Sequence, residues 1–142
     1  MNYLDALNWR YSVKKFDGKK IPSDKLNSIL EAGRLSVSSL GLQPYHLLVV
    51  EKDETIQKLI PAFYNPSQIS TCSHLIALVS KTNINKEYVD NYFSHIITER
   101  GVTLEQLVAF RNNINAQLEN QTSQEMESWS EKQSYIVLGS LI

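Results

Sequence analysis

Arg10-Tyr11-Ser12-Val13-Lys14 places a guanidinium, a hydroxyl and an ammonium within five residues, directly after a short amphipathic run that ends in Trp9. Tyr3, Leu4 and Leu7 fit one face of a helix, so the basic segment is expected to leave the end of that helix. Alternation beyond it sets Arg10, Ser12 and Lys14 on one side of the chain, and Tyr11 and Val13 on the other. A forked donor, a hydroxyl and a point cation on one side make a grip for a phosphate or a polarised heterocycle. Cations are also favoured where a chain simply leaves a helix C-terminus. By itself the segment leaves both readings open.

Outward from this stretch, Asp17-Gly18-Lys19-Lys20 reads as a turn. Ser23 is the expected N-cap of a second helix with Leu26, Ile29, Leu30 and Gly33 along one face, where Gly33 permits close packing. That helix should end near Leu35, because Ser36-Val37-Ser38-Ser39-Leu40-Gly41 is rich in turn formers. After Gln43-Pro44-Tyr45, the run His46–Glu51 reads as a buried strand, and so does His74–Ser80. Between them, Asp53 can cap a helix carrying Ile56, Leu59 and Ile60, which Pro61 interrupts, and Asn65-Pro66-Ser67-Gln68 is a loop by composition. The remainder is helical. A stripe of Tyr88, Tyr92, Phe93, Ile96 and Ile97 closes at Gly101, and capping boxes open further helices at Thr103–Gln106 and Thr122–Glu125. The last helix turns apolar nearly all round over Tyr135–Ile142, the pattern of a central buried helix.

At 142 residues the chain is one domain's worth of sequence, 1–142, with an ordinary globular composition of 42% hydrophobic and 20% charged residues. The net charge of −1 gives no global attraction to nucleic acid or to an anionic membrane, so an anion site must be local. A single cysteine, Cys72, excludes an internal disulfide framework. No stretch has the pattern of a signal peptide or the length of a membrane span, and a cytoplasmic location is expected. No P-loop, G-x-G-x-x-G or Ser-His-Asp order is present. His46 and His74 stand at strand starts and read as structural, His95 reads as surface, and Cys72 as an inert small side chain. Trp9 and Trp129 read as core or interface anchors, and Tyr64 and Phe110 as core.

Taken together and in order, Arg10-x-Ser12-x-Lys14, the Ser36–Gly41 loop, Gln43-Pro44-Tyr45-His46 before a hydrophobic strand, Asn65, His74 and Lys132-Gln133-x-Tyr135 resemble the nitroreductase family of FMN-dependent oxidoreductases. The resemblance covers essentially the whole chain. It implies an α+β, nitroreductase-like fold, a central mostly antiparallel sheet flanked by helices, built as an intertwined homodimer with FMN at the interface. It also implies a flavoenzyme that passes electrons from NAD(P)H through flavin N5 to nitroaromatics, quinones or similar small-molecule acceptors by a ping-pong mechanism.

Residue by residue, the resemblance assigns Arg10 and Ser12, with Tyr11 between them, to the phosphate and ribityl chain of FMN. It gives Lys14 the catalytic role of an ammonium at the ring edge that gains negative charge on reduction. Val37, Ser38, Ser39 and Gly41 match a loop that meets the flavin across the dimer interface. Asn65 matches a residue bonded to the polar edge of the ring, and Gln133 one close to the site. At Gln68 relatives of one subgroup carry a lysine aimed at the phosphate, so the amide here removes a charge. No metal is implied.

Family members continue past the position of Ile142 with further strands, a glycine-containing loop over the ring and a basic pair near the C-terminus. The chain is therefore expected to lack the family's C-terminal third, as a fragment or as a shortened homologue. The second case admits a non-catalytic flavin-binding or dimerising protein, or one without flavin held together by oligomerisation. A flavin reductase or dihydropteridine reductase stays open within the same fold.

Overall fold

In the computed structural model, which describes residues 2–142, nine regular elements follow one another. They are α1 (Tyr3–Trp9), α2 (Ser23–Arg34), β1 (Tyr45–Val50), α3 (Asp53–Leu59), α4 (Pro66–Thr71), β2 (Leu75–Ser80), α5 (Lys86–Arg100), α6 (Leu104–Glu119) and α7 (Ser123–Leu141). Short 3-10 turns occupy Ser39–Gly41 and Ile60–Ala62. The two strands form one antiparallel pair. At one end the Lys81 N–H donates to the Pro44 carbonyl at 2.9 Å, while at the other His74 lies 3.6 Å from the Glu51 carboxylate. This is the expected α+β class.

Residue contacts divide the chain into two compact units, one up to Leu26 with Val49–Ala77, the other Asn27–Leu48 with Leu78–Ile142. The boundaries fall inside α2, β1 and β2. In the first unit Ile56 and Ile69 are the buried apolar side chains. In the second, Leu42, Ile84, Val89, Phe93, Ile114 and Leu118 form the core, with Tyr88, Tyr92, Met126 and Trp129 packed against it. Phe93 meets Tyr92 and Phe110 edge-to-face at ring separations of 5.3 and 5.6 Å, a favourable arrangement of aromatic quadrupoles. Both capping boxes, Thr103 with Gln106 and Thr122 with Glu125, are present, and Gly101 ends α5 with φ of 63°.

Gly33 confirms the close-packing reading: a Cβ there would stand 2.8 Å from Leu47 Cδ1 and 3.1 Å from Leu141 Cδ2. Other expectations need correction. Ser23 is the first residue of α2, not its cap; the Pro22 carbonyl takes that place by accepting from the Leu26 N–H at 3.0 Å. Asp53 likewise lies inside α3, behind the cap Lys52, and its carboxylate is drawn to the Lys20 ammonium at 2.7 Å. Asn65–Gln68 is a helix start, because the Asn65 side chain caps α4 and Pro66 fits its first turn. β1 begins one residue early and alternates in burial, with Leu48 55% exposed, since only one of its faces is covered.

α7 departs furthest from its reading. Tyr135, Ile136, Leu138 and Ile142 are exposed, and the buried stripe is Ser130, Gln133, Ser134 and Val137. Three of these four are polar and find partners: Ser130 donates to the Pro44 carbonyl at 2.9 Å, and the Ser134 and Ser80 hydroxyls are 2.7 Å apart. Trp9 at 78% exposure, the fully exposed Tyr64 and the exposed Phe110 are not core residues either, whereas Trp129 packs against the core. α1 buries none of its residues, so its apolar face stays accessible.

Candidate functional site

In the first unit, the Arg10 N–H closes α1 by donating to the Ala6 carbonyl at 2.9 Å. From there to Pro22 the chain has no regular secondary structure and every residue is exposed. It is nevertheless fastened along its length. The Gln68 carboxamide donates to the Val13 carbonyl, Phe16 N–H to Thr71 Oγ1 at 2.9 Å, and Ile21 N–H to Ser73 Oγ at 2.6 Å. Lys20 adds its ion pair with Asp53. Backbone groups carry most of these bonds, which leaves the side chains of Arg10, Tyr11, Ser12 and Lys14 in solvent. Among the described residues neither the Arg10 guanidinium nor the Lys14 ammonium has an ion-pair partner. A tethered backbone with unspent cations suits anion capture.

Gln68 is thus brought to the Arg10–Lys14 segment, but its amide is used on the backbone. The Asn65 oxygen is used as well, accepting from the Ser67 N–H at 3.2 Å.

In the second unit, Val37, Ser38, Ser39 and Gly41 belong to a loop with unusual backbone. Leu40, Gly41 and Gln43 have φ of 59°, 71° and 46°, so two non-glycine residues stand in the left-handed region. Such residues cost on the order of 1–3 kcal/mol each and persist only where their surroundings over-determine them. The surroundings here do. Ser38 Oγ accepts from the Gln43 N–H at 3.0 Å, and the Gln43 carboxamide donates to the Arg34 carbonyl at 2.9 Å. The buried Gln133 accepts from the Ser39 N–H at 2.8 Å through Oε1, and its amide nitrogen donates to the Trp129 carbonyl at 3.2 Å. From α5 the Tyr88 hydroxyl stands 2.7 Å from the Leu42 carbonyl and 3.1 Å from that of Gln43, and the Tyr92 hydroxyl donates to the Leu40 carbonyl at 3.3 Å. Burial pushes both phenols above the ordinary tyrosine range, which keeps them protonated donors.

The structure therefore joins Gln133 to the Ser38–Ser39 loop, a contact that neither the spacing nor the resemblance specified. Sequence reasoning missed Gln43, Tyr88 and Tyr92. The tyrosine stripe was legible only as core packing, and no local signal marks Leu40 or Gln43 for positive φ. His74 bonds at 2.7 Å the same Ser73 hydroxyl that receives the Ile21 N–H, while His95 is exposed and has no place in either cluster. Cys72 donates to the Ile69 carbonyl. Among the described residues no group of His, Cys, Asp and Glu is arranged to hold a metal, and no helix is long and apolar enough to cross a membrane.

An α+β chain with an exposed, tethered, cation-bearing arm and a strained polar loop is what fold and site define. The nitroreductase family profile matches residues 7–142, and the chain belongs to that family. A Staphylococcus saprophyticus protein provisionally named an NAD(P)H nitroreductase is 34% identical over 98% of this chain and 66% of its own length. The major NAD(P)H-flavin oxidoreductase of Aliivibrio fischeri is 31% identical over 98% of this chain and 67% of its own length. Among solved structures, an Exiguobacterium sibiricum protein crystallised in complex with FMN superposes with a TM-score of 0.84 at 23% identity, covering 99% of this chain and 68% of that one. The chain thus spans about two thirds of the length of these relatives.

Proposed function

We propose that this chain is an FMN-binding domain, 1–142, of an NAD(P)H-dependent oxidoreductase that works as a cytoplasmic homodimer. The observation that carries the reading is the Arg10–Lys14 arm, extended and tethered, with two cations unspent on other side chains. Its donor set fits FMN: a forked guanidinium and a hydroxyl for a phosphate, and an ammonium for the electron-rich edge of a ring. Arg10 and Ser12, with Tyr11 between them, would hold the phosphate and ribityl chain, and Lys14 the ring edge. Asn65 keeps its amide nitrogen for that edge while its oxygen caps α4, and Gln68 serves by holding the arm through Val13. Val37, Ser38, Ser39 and Gly41 would meet the flavin of the partner protomer, with Gln133 fixing the loop beneath them. When bound, FMN would supply the redox chemistry that links NAD(P)H, through flavin N5, to a nitroaromatic, quinone or similar acceptor by a ping-pong mechanism. Lys14 would stabilise negative charge at the ring edge.

The test is the visible spectrum of the purified 142-residue protein, followed by cofactor release and NAD(P)H oxidation assays. Bound FMN near one per chain together with turnover is the expected result. FMN without turnover would make the chain a non-catalytic flavin binder. A protein that stays colourless in excess FMN would overturn the reading.

A further inference from the structure

Tyr88 and Tyr92 lie one turn apart on α5, so both hydroxyls leave the same helix face. Between and beside them Val89 and Phe93 are buried to within 1% of full coverage, which fixes the helix that carries them. The Tyr88 ring lies under the Lys81 ammonium, 5.0 Å from its centroid, and the Tyr92 ring is set edge-on to Phe93. Both rings are thus held, and their hydroxyls reach three successive parts of one loop, the carbonyls of Leu40, Leu42 and Gln43. Those residues flank or adopt the left-handed backbone. Gly41, the remaining left-handed residue, lies so close that a Cβ would run into the Tyr92 hydroxyl.

Leu42 lies in the core, but Leu40 and Gln43 are not buried and could leave their carbonyls to water at little cost. Spending two held phenols on them selects one backbone conformation instead. Rigidity of this kind lowers the ordering cost that a ligand otherwise meets on binding. We propose that Tyr88 and Tyr92 are positioning residues that clamp the Ser38–Gln43 loop in its cofactor-competent form. The inference rests on the FMN reading above. The clamp touches no cofactor; it acts through the loop.

The experiment compares wild type with Tyr88→Phe, Tyr92→Phe and the double variant, using FMN titration by flavin fluorescence and the visible circular dichroism of bound flavin. Ile114→Val serves as the control, because it trims the same core while leaving every hydrogen bond to the loop in place. Each Tyr→Phe change should raise the FMN dissociation constant, to about tenfold in the double variant, and alter the flavin dichroism. Ile114→Val should lower the thermal midpoint and leave both flavin readouts unchanged. Gly41→Ala should weaken FMN binding, and adding Tyr92→Phe should restore part of it, since without the hydroxyl the new Cβ meets the ring at 3.4 Å. Unchanged affinity and dichroism in the double variant, or losses matched by Ile114→Val at equal thermal midpoint, would overturn the clamp alone. A wild-type protein that takes up no FMN would overturn the flavin reading and the clamp with it.

Discussion

The Gln133 carboxamide oxygen accepts a hydrogen bond from the Ser39 N–H at 2.8 Å, joining the buried face of α7 to the loop after α2 across 94 positions of sequence. Gln133 is 4% exposed, so it has little access to a substitute partner. Gln133→Leu should cost about 1–2 kcal/mol in urea unfolding, because the Ser39 amide loses its acceptor. FMN affinity should fall in the same variant. Unchanged unfolding would show that water satisfies that amide.

Arg10 and Lys14 make the opposite case. Their side chains hold no part of the fold together, so Arg10→Ala and Lys14→Ala should leave the thermal midpoint near that of wild type. Arg10→Ala should weaken FMN binding, and more steeply at low salt, where an unscreened cation matters most. Lys14→Ala should lower NAD(P)H oxidation by about 100-fold or more, the scale for removing one donor from developing charge. Wild-type turnover in that variant would remove Lys14 from the mechanism.

Gly33 allows α2 to approach Leu47 of β1 and Leu141 of α7. Gly33→Val should destabilise the protein by about 1–3 kcal/mol despite valine's better helix propensity, since even a Cβ already presses on both leucines. Thermal unfolding checks it; a rise in midpoint would mean that the leucines swing away freely.

The clamp predicts an alkaline transition. Burial raises the Tyr88 phenol, with the neighbouring Tyr45 as a second cause, and burial raises Tyr92. The folded state therefore keeps these protons to higher pH than the unfolded chain, whose tyrosines titrate near about 10. Their contribution is fully present below that pH and is lost as pH rises through the folded values. Stability measured from pH 8 to 11.5 should fall at the upper end, and Tyr88→Phe should flatten the fall.

Loss of the α4 cap gives a local test. Asn65→Ala removes the acceptor of the Ser67 N–H and should cost about 1 kcal/mol. If Asn65 also serves the flavin through its amide nitrogen, Asn65→Ser, which restores only the cap, will recover the stability and still bind FMN more weakly than wild type.

Local chemistry was readable along the chain. The capping boxes at Thr103 and Thr122, the stop at Gly101 and the break at Pro61 each depend on groups within a few residues, and each formed as its spacing dictated. The ordered motifs from Arg10 to Gln133 were enough to indicate the family, since residue order and spacing survive where overall identity is low. Tertiary structure decided the rest. The buried side of α7 is Ser130, Gln133 and Ser134 beside Val137, because carbonyls and hydroxyls of distant segments satisfy those polar groups; the nearly all-round apolar run Tyr135–Ile142 pointed instead to full burial, yet Tyr135, Ile136 and Leu138 are exposed. Leu40 and Gln43 carry no preference for positive φ, and their conformation comes from Tyr88, Tyr92 and Ser38 bonding the same short loop. A backbone state that its own residues disfavour can only be set by partners brought from elsewhere in the chain.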